Sequence, residues 1–170
     1  MTHFHLFSLP ASFDIDQHAL ETSYFAQQRR FHPDRFVGKP AEERVAALQH
    51  SADVNKAYET LKSPLKRAQY LLHLQGIEVG TDGGGIKPTP ALLTEVLEWR
   101  EQVAEANTPV QIKALKADLH ALHEDLLARL SAQAAKADWA AMTEATLKLG
   151  YVLKTQEELK IQEVKLRKTP

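Results

Sequence analysis

Residues 28–36, Gln28-Arg29-Arg30-Phe31-His32-Pro33-Asp34-Arg35-Phe36 (QRRFHPDRF), run a cationic helical pattern straight into a histidine, a proline and an aspartate. A proline drives the residue before it out of the α region, so the helix has to end here. Upstream, Leu20, Tyr24, Phe25 and Phe31 recur on a helical period. Asp16 is placed as an N-cap, with Ile15 and Leu20 positioned as a hydrophobic staple. Downstream, a loop from His32 to Lys39 gives way to Pro40, Glu42 and Glu43, the proline and first-turn carboxylates that open a second helix. Its predicted buried face is Val45, Leu48, Ala52, Val54, Ala57, Tyr58 and Leu61. Ser63-Pro64 then starts a short helix carrying Leu65, Ala68, Leu71 and Leu72. Two longer helices joined by so short a loop predict an antiparallel helical hairpin.

From Gly76 to Pro90 the chain reads GIEVGTDGGGIKPTP, and glycine and proline displace any helical period. The expected boundaries are therefore an N-terminal domain at 1–75, a Gly/Pro linker at 76–89 and a C-terminal domain at 90–170. Three further helices are predicted after it. Pro90 starts one that ends near Asn107. Thr108-Pro109 caps and starts the next, with Ile112, Leu115, Leu119, Leu122, Leu126 and Leu130 on one face. Asp138 caps a third, whose core positions are Trp139, Met142, Leu149, Val152 and Leu153. Gly150 inside that helix predicts a kink or a close backbone approach, since glycine there costs about 1 kcal/mol relative to alanine. With no strand-like alternation, the fold class is all-α, ending in a three-helix bundle.

The 170-residue chain is 44% hydrophobic and has a net charge of −1, so nothing in its overall balance favours nucleic acid or an anionic membrane. Neither a membrane span nor a signal or transit pattern is present, and a bacterial-type cytoplasmic location is expected. The chain contains no cysteine, which excludes disulfides, thiolate nucleophiles and cysteine-ligated metal. Two self-contained helical units predict a monomer.

Three readings of the turn compete. As an ordinary helix end it needs no function, because proline and aspartate are frequent turn residues. As a catalytic site it would use His32 as base and Asp34 as its orienting partner. Pro33 stiffens the backbone between them, however, and no nucleophile is fixed nearby in sequence to complete a constellation. As a docking element it would draw on Arg29, Arg30, Arg35 and Lys39, a local cationic patch opposed only by Asp34. A metalloenzyme built on His120 and His123, three residues apart on one helix, is a further alternative, but the expected state is a solvated or half-buried pair without carboxylate support. His3, His5, His18, His50 and His73 form no ligand-spaced cluster and are read as structural or surface residues. No catalytic residue, metal ligand or cofactor is assigned.

Helix, HPD turn, helix, and then VNKAYETLKSPLKRAQY at residues 54–70, with Ala57, Tyr58, Leu61, Pro64, Arg67 and Tyr70 at characteristic offsets, resemble a J domain. J domains are the activating modules of co-chaperones for DnaK-type ATPases. The resemblance implies that His32, Pro33 and Asp34 contact the ATPase, and that the basic residues Arg29, Arg30 and Arg35 meet an acidic surface on it. An aspartate presented on a stiff turn is well suited to a charge-assisted hydrogen bond, with nearby cations steering the encounter.

The cysteine-free bundle after the linker, the FHLFSLP start, the HPDRF turn and LLTEVLEWREQV at residues 92–103 resemble the HscB family, J-type co-chaperones of iron–sulfur cluster biogenesis. That resemblance implies two partners: the DnaK-type chaperone HscA, and the scaffold protein IscU held on an apolar patch of the C-terminal bundle. The matching patch here is Leu92, Leu93, Leu97 and Tyr151, rimmed by Glu98, Arg100 and Glu101. Two alternatives stay open: Leu93 and Leu97 as core of the bundle, and a J-domain adaptor whose bundle serves a different client or a dimer interface. Without thiolates, the chain is expected to recruit a cluster carrier without binding the cluster itself.

Overall fold

A computed structural model describes residues 1–80 and 84–168. The chain divides into two compact units, Met1–Leu71 and Leu72–Pro170. Its helices are α1 (His3–Leu6), α2 (Gln17–Arg30), α3 (Ala41–Lys62), α4 (Pro64–His73), α5 (Pro90–Glu105), α6 (Pro109–Ala135) and α7 (Trp139–Lys168), with a 3₁₀ turn at Pro33–Phe36. No strand forms among the described residues.

In the first unit, α2 begins where its cap predicts: the Asp16 carboxylate accepts from the Ala19 N–H at 3.0 Å. Leu20 of α2 and Val54, Ala57, Tyr58 and Leu61 of α3 are buried together with Phe4, Phe7 and Phe13. The hairpin's seam is also polar. Asn55 accepts hydrogen bonds from the Tyr24 hydroxyl at 2.9 Å and from Gln28 at 2.6 Å, while the Ser51 hydroxyl donates to Gln28 at 3.2 Å. The rings of Tyr24 and Tyr58 stack with centroids 4.0 Å apart. Arg67 is 5% exposed; its guanidinium donates to the Leu61 carbonyl at 2.7 Å and lies 4.9 Å from the Phe13 ring. Burial pulls the pKa of that guanidinium down, and Asp14 partly offsets the effect.

Three expectations fail in this unit. Helix α1 was not expected, because four residues carry no readable period; Thr2 caps it and its Phe4 is buried. The loop after α2 contains a 3₁₀ turn. Val45, Leu48 and Ala52, expected on the buried face, are exposed, as is Phe25 of the first helix's apolar stripe, and Ala47 is buried instead. Val45, Leu48 and Ala52 lie about 120–180° around α3 from Val54, whereas Ala47, Val54 and Leu61 recur every seven residues on one stripe.

Two backbone contacts lie near the start of the second unit. The Ile86 N–H donates to the Glu78 carbonyl at 2.9 Å, and Val79 and Gly85 form an isolated antiparallel bridge. Gly85 sits at φ +83°, where a Cβ would stand 2.2 Å from the Glu78 carbonyl oxygen, so only glycine fits. The first residue of the glycine triplet lies outside the described residues.

The bundle itself follows its caps. Thr89 caps α5, Thr108 and Gln111 form a reciprocal capping box on α6, and Asp138 accepts from the Ala141 N–H at 3.2 Å at the start of α7. Leu92, Val96 and Val103 of α5, Ile112, Leu119, Leu126 and Leu130 of α6, and Met142, Leu149, Val152 and Leu159 of α7 are buried. Helix α7 runs unbroken through Gly150. It buries three threonines by bonding each hydroxyl to the carbonyl one turn back: Thr143 to Trp139, Thr146 to Met142 and Thr155 to Tyr151.

Candidate functional site

The end of α2 and the 3₁₀ turn set the HPD geometry. Phe31 closes α2 by donating its N–H to the Gln27 carbonyl at 3.0 Å, and His32 adopts φ −59° and ψ 135°, the extended conformation a following proline demands. The His32 imidazole then caps the turn, its Nδ1 accepting from the Asp34 N–H at 3.3 Å. The same Nδ1 lies 3.6 Å from the Asp34 carboxylate, an ion pair only when the imidazole is protonated. The carboxylate, with its side chain 88% exposed, stands ready for an external cation.

On one flank of the turn, Arg29, His32, Asp34 and Arg35 line an open groove of about 450 Å³ with Phe25 and Gln28. Arg30 departs from this set: its guanidinium lies 5.4 Å over the Phe31 ring. On the other flank, Phe31, Pro33, Phe36, Val37, Val45 and Leu48 line an apolar groove of about 420 Å³. Val37, Val45 and Leu48 are 79%, 65% and 58% exposed. No serine, threonine or cysteine lines either groove, so neither offers the hydroxyl or thiol nucleophile that covalent catalysis on an imidazole base requires. The arrangement fits recognition: cations and one exposed carboxylate on one side of a stiff ridge, and on the other an apolar surface that also includes Arg44.

The residues expected to hold a scaffold protein are only partly brought together. Leu93 and Leu97 lie one turn apart on α5 and are 43% and 60% exposed, so they face solvent. Leu97, Arg100 and Glu101 line a groove of about 520 Å³ with Glu158, Ile161 and Lys165 of α7. Arg100 reaches Glu158 at 3.6 Å. Glu98 is exposed and Tyr151 half-buried. Leu92 is a correction: at 8% exposure it belongs to the bundle core, rotated about 100° around the helix from Leu93. Sequence reasoning missed Ile161, which is 56% exposed. Its signal was the pair Ile161 and Val164, three residues apart in the charged run EELKIQEVK.

An antiparallel helical hairpin presenting an exposed HPD turn, followed by a separate helical bundle, defines the class of J-domain co-chaperones. Residues 88–160 match the family model described as the HSCB C-terminal oligomerisation domain. A co-chaperone protein HscB homolog of Vibrio cholerae is 37% identical over 163 residues, covering 94% of this chain and 95% of the relative. Among solved structures, the chaperone HscB from Vibrio cholerae superposes with a TM-score of 0.85 at 36% identity, over 98% of this chain and 99% of that one. Human co-chaperone HscB gives 0.86 at 30% identity, over 98% of this chain and 84% of that one. The chain belongs to the HscB co-chaperone family, with an N-terminal J domain and a C-terminal helical bundle.

Proposed function

We propose that this protein carries the iron–sulfur scaffold IscU on its C-terminal bundle, delivers it to the DnaK-type chaperone HscA and stimulates that chaperone's ATPase through the HPD turn. The supporting observation is an Asp34 carboxylate, its side chain 88% exposed, on a turn flanked by Arg29 and Arg35. Asp34 bonds a cation of the ATPase, the arginines meet its acidic surface, and the ATPase conformation that fits this ridge is favoured by the difference in binding. Stimulation then needs no contact with nucleotide, and the protein performs no chemistry itself. On the bundle, Leu93 and Leu97 serve as anchors, with Tyr151, Glu98, Arg100 and Glu101 around them. We take 1–75 as the J domain, 76–89 as the linker and 90–170 as the scaffold-binding domain, in a cytoplasmic monomer.

Single-turnover ATP hydrolysis by HscA in the presence of IscU tests the reading. Wild-type protein accelerates it and Asp34→Asn does not; equal rates with wild type, with Asp34→Asn and with neither would dismiss it. The description of the matched C-terminal family as an oligomerisation domain supports a second reading, in which the bundle pairs with another copy of itself. Sedimentation equilibrium separates the two, since self-association depends on concentration without IscU.

A further inference from the structure

The HPD turn touches little of the interior, so its direction is fixed by what grips its two ends. Phe31 precedes it and Phe36 closes it, and their rings lie near parallel, 6.4 Å apart with an interplanar angle of 7°. Phe31 in turn rests on the imidazole of His50 from α3, with ring centroids 3.9 Å apart. The imidazole is itself held. Its Nε2 stands 2.8 Å from the Gln27 amide oxygen, and the other end of that amide donates to the Leu6 carbonyl. A carbonyl only accepts, so the Gln27 nitrogen must face Leu6 and its oxygen must face His50. His50 Nε2 therefore carries a hydrogen, in the neutral and the protonated ring alike. One continuous chain of contacts runs from the end of α1 through Gln27 and His50 to Phe31 and the turn.

We propose that His50 is a positioning residue for the HPD turn: by pinning the Phe31 ring it sets the fraction of molecules whose turn stands ready to engage the ATPase. The inference rests on the reading that this turn acts on HscA. Apparent affinity falls in proportion to the fraction of competent turn, whereas the complex once formed is unchanged. The effect thus belongs in the concentration of protein needed for half-maximal stimulation, not in the maximal rate.

The test uses the full chain with His50→Ala, His50→Gln and His50→Phe, titrated into single-turnover hydrolysis by HscA at a temperature where circular dichroism shows each variant folded. His50→Ala raises the half-saturating concentration about three- to tenfold, the range an aromatic contact commands, with the plateau unchanged. His50→Phe keeps a ring under Phe31 and restores most of the loss. His50→Gln keeps a donor for Gln27 without the ring and stays with alanine. IscU binding by the bundle is unaffected in all three. A half-saturating concentration for His50→Ala within about twofold of wild type overturns the proposal, as do shifts that merely follow melting temperature. If alanine does not fold, the comparison of phenylalanine with glutamine decides, and equal values overturn it. When Asp34→Asn abolishes stimulation in the same assay while the His50 variants are silent, this inference alone fails. A silent Asp34→Asn removes the parent reading as well.

Discussion

Replacing Leu93 and Leu97 together by serine separates a binding surface from a core. Fully burying a leucine side chain is worth about 1.5–3 kcal/mol relative to leaving it exposed. Leu97 is 60% exposed and Leu93 43% exposed, so a partner that covers both gains only the part still open to water. That part comes to about 1–2 kcal/mol for Leu97 and about 0.6–1.3 kcal/mol for Leu93 on the same scale. The pair thus contributes about 1.5–3 kcal/mol, or roughly ten- to 150-fold in the dissociation constant. Isothermal titration of IscU into wild type and Leu93→Ser/Leu97→Ser measures it, with melting temperature as the internal control. The parts of Leu93 and Leu97 already covered in the bundle cost about 1.5–3 kcal/mol of stability on the same scale, so the double variant melts earlier than wild type and binding is compared at a temperature where both are folded. Leu92→Ser costs more, about 2–5 kcal/mol, because at 8% exposure its side chain belongs to the core. An affinity within about threefold of wild type for the double variant would refute the assignment. So would a folded Leu92→Ser that alone lost binding.

Arg67→Ala discards a charge-assisted hydrogen bond worth about 1.5–3 kcal/mol and a cation–π contact worth about 0.5–2 kcal/mol. Urea unfolding should register most of that, while Arg67→Met, which refills the site without a charge to desolvate, should lose about half as much. Gly85→Ala forces a Cβ onto the Glu78 carbonyl, so amide exchange at Ile86, whose N–H bonds that carbonyl, should quicken selectively. A hydrogen bond from Lys116, aided by the charges of Lys116 and Arg167, holds the Glu163 carboxyl below the usual carboxylate range. A depressed pKa stabilises the fold above the unfolded-state value and ceases to do so as pH falls through the folded one. Glu163→Gln should therefore melt earlier than wild type at neutral pH, and the gap should close on acidification below the ordinary carboxylate range.

Helix starts were legible because capping is local chemistry: Asp16, Thr108 and Asp138 each sit within three residues of the N–H they satisfy. The HPD turn was legible for the same reason, since proline dictates its neighbour's backbone. Burial was less so. Val45 and Leu48 lie about 180° and 120° around α3 from Val54, so the apolar positions of that helix do not form one stripe, and these two stand exposed beside the turn. Leu92 and Leu93 are indistinguishable in composition, and only the rotation of α5 against α6 and α7 decides which one points inward. His50 was invisible because its importance lies in two contacts, with Gln27 and Phe31, that come from a different helix.

The exposure of Asp34 has a genetic corollary. A side chain 88% open to solvent can be exchanged without weakening the surrounding structure. On the proposed function, a cell producing such a variant beside the normal protein would accumulate a stable decoy that still grasps its cargo yet fails to hand it over. The expected phenotype is dominant interference, stronger than that of deletion and relieved by supplying more cargo.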